Sequence, residues 1–144
     1  MAFPPIVIRG LDNMEVADRV AIQIAQHNPA QVFIDAGEGT GVIDRLRQMR
    51  FNVAEVYFGG KGPRKDIFEN RRMWWEMKQW LDKGGAIPPD EILQADLAAP
   101  TYGFTTRGTK ILEPKDKIKE RIGRSPDMAD ALALTFAAPV PPQM

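Results

Sequence analysis

The chain has 144 residues, 44% of them hydrophobic, which is enough for one sizeable core and too few for two. It holds no cysteine and a single histidine, His27, which excludes disulfides, thiolate chemistry and His-based zinc sites, so any metal must be bound through oxygen. Nineteen basic and nineteen acidic side chains leave no formal net charge, an argument against whole-surface attraction to nucleic acid but not against local clusters.

The pattern along the chain predicts alternating strands and helices. Phe3 to Ile8 reads as a short, proline-bounded strand. Asp12 and Glu15 resemble a capping box, and Val16, Val20 and Ile24 recur at helical spacing until Asn28-Pro29 stops the helix. Gln31 to Asp35 is a buried-strand pattern that ends on an acid and runs into Gly37, Gly39 and Gly41; a helix over about 42–49 and a strand over 53–58 follow. The segment 59–63 reads as a loop, and a long helix is expected from about Asn70 to Asp82, carrying all three tryptophans. Met73, Met77, Trp80 and Leu81 fall on one side of it at core spacing.

The remaining third predicts a shorter helix over 90–98 and a hairpin of Tyr102–Phe104 with Lys110–Glu113, turning at Arg107-Gly108. A charged helical turn or two over 115–121 precedes a final helix with Ser125 as N-cap, Pro126 at its first position and an apolar stripe of Met128, Ala131, Leu132, Thr135 and Phe136. Residues 1–137 are expected to form one domain, α/β in class, with a mainly parallel or mixed sheet flanked by helices; the Pro-rich tail 138–144 is expected to fray. No run approaches the ~20 apolar residues of a membrane span, and the start lacks the pattern of a secretory signal. The chain is therefore expected to be soluble and cytoplasmic.

Two kinds of segment bear on chemistry. Basic clusters lie between Lys61 and Arg72 (Lys61, Arg64, Lys65, Arg71, Arg72) and between Arg107 and Arg124; both suit a solvated face as well as phosphate contact. The glycine-rich turn after Asp35 matches neither the dinucleotide fingerprint nor a P-loop. What remains is an Asp at the carboxyl end of a strand, where open sheets place ligands, and two readings stand side by side: a ligand for a cation, or a local cap for the next helix. At the other end, Asp127 and Asp130 are three residues apart on one helix, so they project near each other and repel unless a cation lies between them. Oxygen-only ligation of this kind suits Mg²⁺ or Mn²⁺.

These residues resemble a known family. Arg9-Gly10-Leu11-Asp12, the Phe33 to Gly41 segment with Val42-Ile43-Asp44-Arg45-Leu46, Tyr57-Phe58-Gly59, Asn70-Arg71-Arg72 with Met73-Trp74, and Ser125-Pro126-Asp127 through Thr135-Phe136 are similar to the C-terminal nuclease domain of the tailed-bacteriophage terminase large subunit. The resemblance implies a ribonuclease-H-like mixed sheet. It also implies an endonuclease that cleaves double-stranded DNA during viral genome packaging, with two Mg²⁺ or Mn²⁺ ions. Asp35 would be the family's second metal-binding acid and Asp127 the third, with Asp130 close behind it; Lys115 looks like the family's lysine ahead of the final helix. Lys61, Arg64, Lys65, Arg71, Arg72 and Lys115 are the expected phosphate contacts, and the portal and small terminase subunit the implied partners, in the cytoplasm of a bacterial host.

The family's first acid lies on an opening strand ahead of the region that Phe3–Ile8 resembles, so this chain is expected to be truncated at its N-terminus and to hold metal weakly. Asp12 matches the helix-cap position and is no replacement. An apolar sheet edge left open is expected to promote self-association. Two further readings accompany the nuclease: a non-catalytic prophage remnant that binds DNA or a packaging partner, and an unrelated α/β metal- or phosphate-binding enzyme sharing only the acidic turn.

Overall fold

The computed structural model describes residues 1–37, 39–57, 64–104, 106–108 and 110–140, and of 64–71, 110 and 111 the backbone alone. Among them the chain is a mixed α/β structure: α1 (Asn13–His27), β1 (Phe33–Asp35), α2 (Thr40–Gln48), β2 (Ala54–Val56), α3 (Arg64–Asp82), α4 (Glu91–Ala98), β3 (Tyr102–Phe104), β4 (Lys110–Leu112), α5 (Lys115–Ile122) and α6 (Asp127–Leu134). β1 and β2 pair in parallel, joined through α2, with Asp35 opposite Val56; β3 and β4 form a separate antiparallel hairpin.

Local chemistry accounts for most boundaries. The Asp12 carboxylate accepts from the Glu15 backbone N–H at 2.8 Å and starts α1, and Asn28 ends it in the left-handed region. Asp90 caps α4 by accepting from the N–H groups of Ile92 and Leu93. The hairpin is tied back to α5 through Glu113, which takes Arg121 and the Thr101 hydroxyl, and the Arg121 hydrogen bond holds its carboxyl below the ordinary value.

Three expectations are corrected. Phe3–Ile8 forms no strand: Pro4 and Pro5 have no N–H to give a ladder, and Phe3, Ile6 and Val7 are exposed, with the segment held through the Ala2 N–H on the Ala86 carbonyl at 2.9 Å. The long helix begins at Arg64 rather than near Asn70, because six residues of helix-compatible type precede Asn70 without a glycine or proline. The last helix begins at Asp127, with Pro126 in the cap position and no side chain of its own capping it, so Ser125 is not its N-cap.

The parallel pair is sandwiched between two apolar clusters. On one face Ala17 of α1 and Val42, Ile43 and Leu46 of α2 pack with Val32 and Ile34. On the other, Met73, Trp74 and Met77 of α3 and Ala129 and Ala133 of α6 pack with Val56 and Phe33. The tryptophan helix is thus part of the core, with Trp74 buried, Trp75 edge-on to Tyr102 and Trp80 beside Phe136. Ala129 and Ala133, one turn apart and without exposure, let α6 approach α3 closely. No helix among the described residues is long and apolar enough to cross a membrane.

Candidate metal centre

Side chains alternate across a strand, so the face on which Phe33 meets α3 and α6 is also the face of Asp35, the last residue of β1. Asp35 does not cap α2, whose N-cap Gly39 receives no side-chain bond. Its Oδ1 instead accepts from the Gly37 N–H at 2.8 Å, folding the turn back over the strand end. Glycine is required at 39 because a Cβ there would lie 2.5 Å from the Asp35 carbonyl oxygen, whereas at 41 a Cβ would lie 2.3 Å from Asn13 Nδ2, a side-chain tip that can shift. The turn is therefore pressed between the strand and α1.

The sheet face that carries Asp35 is covered by α6, whose first turn carries Asp127 and Asp130. The helix N-terminus favours both negative charges. Asp127 is exposed, whereas the Asp130 side chain is 14% exposed and pairs with Lys115, its Oδ2 2.9 Å from the Lys115 Nζ. Lys115 is the first residue of α5 and feels Asp127 and Asp35 as well as Asp130. Lys115 of α5 thus pairs directly with Asp130 of α6 and lies within electrostatic reach of Asp127 of α6 and Asp35 of β1.

The electrostatics are asymmetric. Burial drives Asp130 up to about 6, opposed by Lys115 and by a hydrogen bond from the Trp74 side chain and reinforced by Asp127. For Lys115 burial works against the charged form, but Asp130, Asp127 and Asp35 outweigh it and hold the amine above the ordinary lysine value. The ammonium draws on three carboxylates, while the most enclosed carboxylate bears the loss of water.

α6 is itself held at both ends by other elements. At its start the Asp96 carboxylate on α4 accepts from the Met128 N–H at 3.2 Å and pairs with Arg124 at 2.6 Å. After its end Arg72 of α3 donates to the carbonyls of Phe136 and Ala137 and pairs with Glu76 at 3.0 Å. Asp96 is missed by a search for strand-end and helix-start acids. Its signal was available: with Leu93 and Leu97 it stands at core spacing, an acid where the pattern calls for an apolar residue.

Of the basic residues expected to meet phosphate, Arg64, Lys65, Arg71 and Arg72 lie on helix α3. Lys61 is outside the described residues, as are the side chains of Arg64, Lys65 and Arg71. The Arg72 guanidinium is engaged in holding α6, and Lys115 in the carboxylate cluster.

The donor set is oxygen-only and net negative, which is the chemistry a hard divalent cation requires. Among the described residues, however, no three of the Asp, Glu and His side chains are grouped to grip one ion. The Lys115 amine takes the Asp130 oxygen, and Asp35 spends one oxygen on its turn. In comparisons with known proteins, no family model, no characterised protein and no solved structure matches this chain.

Proposed function

We propose that this chain is a Mg²⁺- or Mn²⁺-dependent DNA endonuclease domain of the terminase type, ribonuclease-H-like in plan, that cleaves double-stranded DNA during viral genome packaging. The observation that supports it is the Lys115–Asp130 ion pair at 2.9 Å, with Asp127 and Asp35 near enough to favour the charged form of Lys115. Asp35, Asp127 and Asp130 would hold the metal. When bound, a pair of divalent ions supplies an activated water and steadies the leaving oxygen of a phosphodiester.

The chain's own residues do the remainder. The Gly37 N–H, which donates to the Asp35 carboxylate, would orient the first acid, and the first turn of α6 would present the other two. Lys115 carries positive charge into the cluster, where it balances the carboxylates and can turn toward a phosphate oxygen. Arg64, Lys65 and Arg71 on α3, with Lys61 before it, would contact the DNA backbone, making binding salt-dependent and indifferent to sequence.

A second reading, DNA binding without cleavage, is favoured by one observation: Lys115 is ion-paired with Asp130, and among the described residues no three acids are grouped to hold an ion. Plasmid cleavage in Mn²⁺ separates the two. The nuclease is expected to nick or linearise plasmid, to stop with EDTA, and to lose about 100-fold or more in rate on Asp35→Asn or Asp130→Asn. Equal rates in the wild type and both variants would remove the catalytic assignment; salt-sensitive DNA binding without cleavage would establish the second reading.

A further inference from the structure

Among the described residues Asp96 is the one charged side chain that is fully buried, at 1% exposure. A carboxylate removed from water is costly unless each oxygen is matched. Oδ1 is ion-paired with Arg124 Nη1 at 2.6 Å, though not in hydrogen-bond geometry, and Oδ2 accepts the Met128 N–H at 3.2 Å. Both partners belong to α6 or the turn leading into it, whereas α4 has its own cap in Asp90 and receives no bond from the Asp96 side chain.

α6 needs such a partner. Its cap position is Pro126, which offers no side-chain acceptor, and eight residues are too few for a helix to persist without tertiary support. Met128 lies between Asp127 and Asp130, so the bond that fixes its N–H fixes the peptide unit between them.

We propose that Asp96 is a positioning residue for the carboxylate cluster: from α4 it holds the first turn of α6, and so aims Asp130 and Asp127 at Lys115 and the Asp35 end of β1. It touches none of these side chains itself. The consequence for cleavage rests on the nuclease reading above; the placement of Asp130 does not, and can be measured without metal or DNA.

The experiment uses Asp96→Leu, which removes the acceptor but keeps volume, Asp96→Ala beside it so that a packing failure in one is not mistaken for the loss of the bond, and Asp96→Asn, whose carbonyl can still accept from Met128. Three readouts are taken on variants that keep a cooperative melt: amide exchange at Met128, the yield of a carbodiimide-formed Lys115–Asp130 cross-link mapped by mass spectrometry, and Mn²⁺-dependent plasmid cleavage. The Leu and Ala variants are expected to exchange about tenfold faster at Met128 and to lose most of the cross-link, with Asn restoring both. Cleavage should follow the cross-link, falling in kcat with DNA affinity unchanged. No cross-link in the wild type, or equal yield in a folded Leu or Ala variant, overturns the proposal. A wild type that cross-links but does not cleave removes the nuclease reading and leaves the positioning role to be judged by the cross-link alone.

Discussion

Asp130 shows how one residue can be stabilised and strained by the same surroundings. Its value of about 6 lies above the ordinary 3.8, so the folded chain retains a proton that the unfolded chain releases. Stability from this group is fully present below about pH 3.8 and is lost as pH rises through about 6. At roughly 1.4 kcal/mol per pH unit the difference amounts to at most about 3 kcal/mol. The groups that face it are Lys115, which stays charged across this window, Asp127 and Trp74. Asp130→Asn, which mimics the protonated form, is expected to match the wild type near pH 4 and to exceed it increasingly up to pH 7. Urea denaturation at four pH values measures this; a difference that stays flat with pH would contradict it. A carboxylate kept where it lowers stability at neutral pH is what a functional site leads one to expect. The i, i+3 spacing of Asp127 and Asp130 made their proximity legible in the sequence, but the burial that raises Asp130 and its hydrogen bond with Trp74 of α3 depend on packing that no local pattern reports.

At the scale of elements, the end of β1 is closely packed against Gly39. The glycines that follow β1 were visible as a string, yet the string does not say which of them is required. The structure distinguishes them: at Gly39 a Cβ would meet backbone, the Asp35 carbonyl, and backbone cannot move aside as a side-chain tip can. Gly39→Ala is therefore expected to cost about 1–3 kcal/mol in urea denaturation and to disturb the Asp35 end of β1, whereas an unchanged midpoint would show that the turn can yield. The start of α1 with its acidic cap Asp12 was legible because the capping bond is local, three residues in span. The start of α6 falls one position later than the sequence suggests, for the opposite reason: its capping carboxylate arrives from Asp96, thirty-two positions before Met128. Phe3–Ile8 was misread because apolar content marks a segment fit for a strand, while a strand also requires an edge to pair with.

At the scale of the molecule, the described fold has two apolar faces around a short parallel pair, and on the described residues that pair has no third strand. Parallel sheets are ordinarily covered and extended on both sides, so the free edges of β1 and β2 and the exposed Phe3, Ile6 and Val7 together favour self-association. Light scattering after size exclusion is expected to show mass rising with concentration, and Ile6→Lys with Val7→Lys is expected to return the chain to monomer. A single monomeric mass over a hundredfold range of concentration would refute this.

By itself the sequence determined the α/β class, the order of the helices, the hairpin and the acidic residues at the end of β1 and the start of α6, because each is written in neighbours a few positions apart. Only the tertiary structure decided that Phe3–Ile8 stays unpaired, that Lys115 enters the carboxylate cluster and that Asp96 holds α6 in place. Each of those outcomes depends on removal from water and on contacts between distant segments, and burial is a property of the packed chain rather than of any stretch within it.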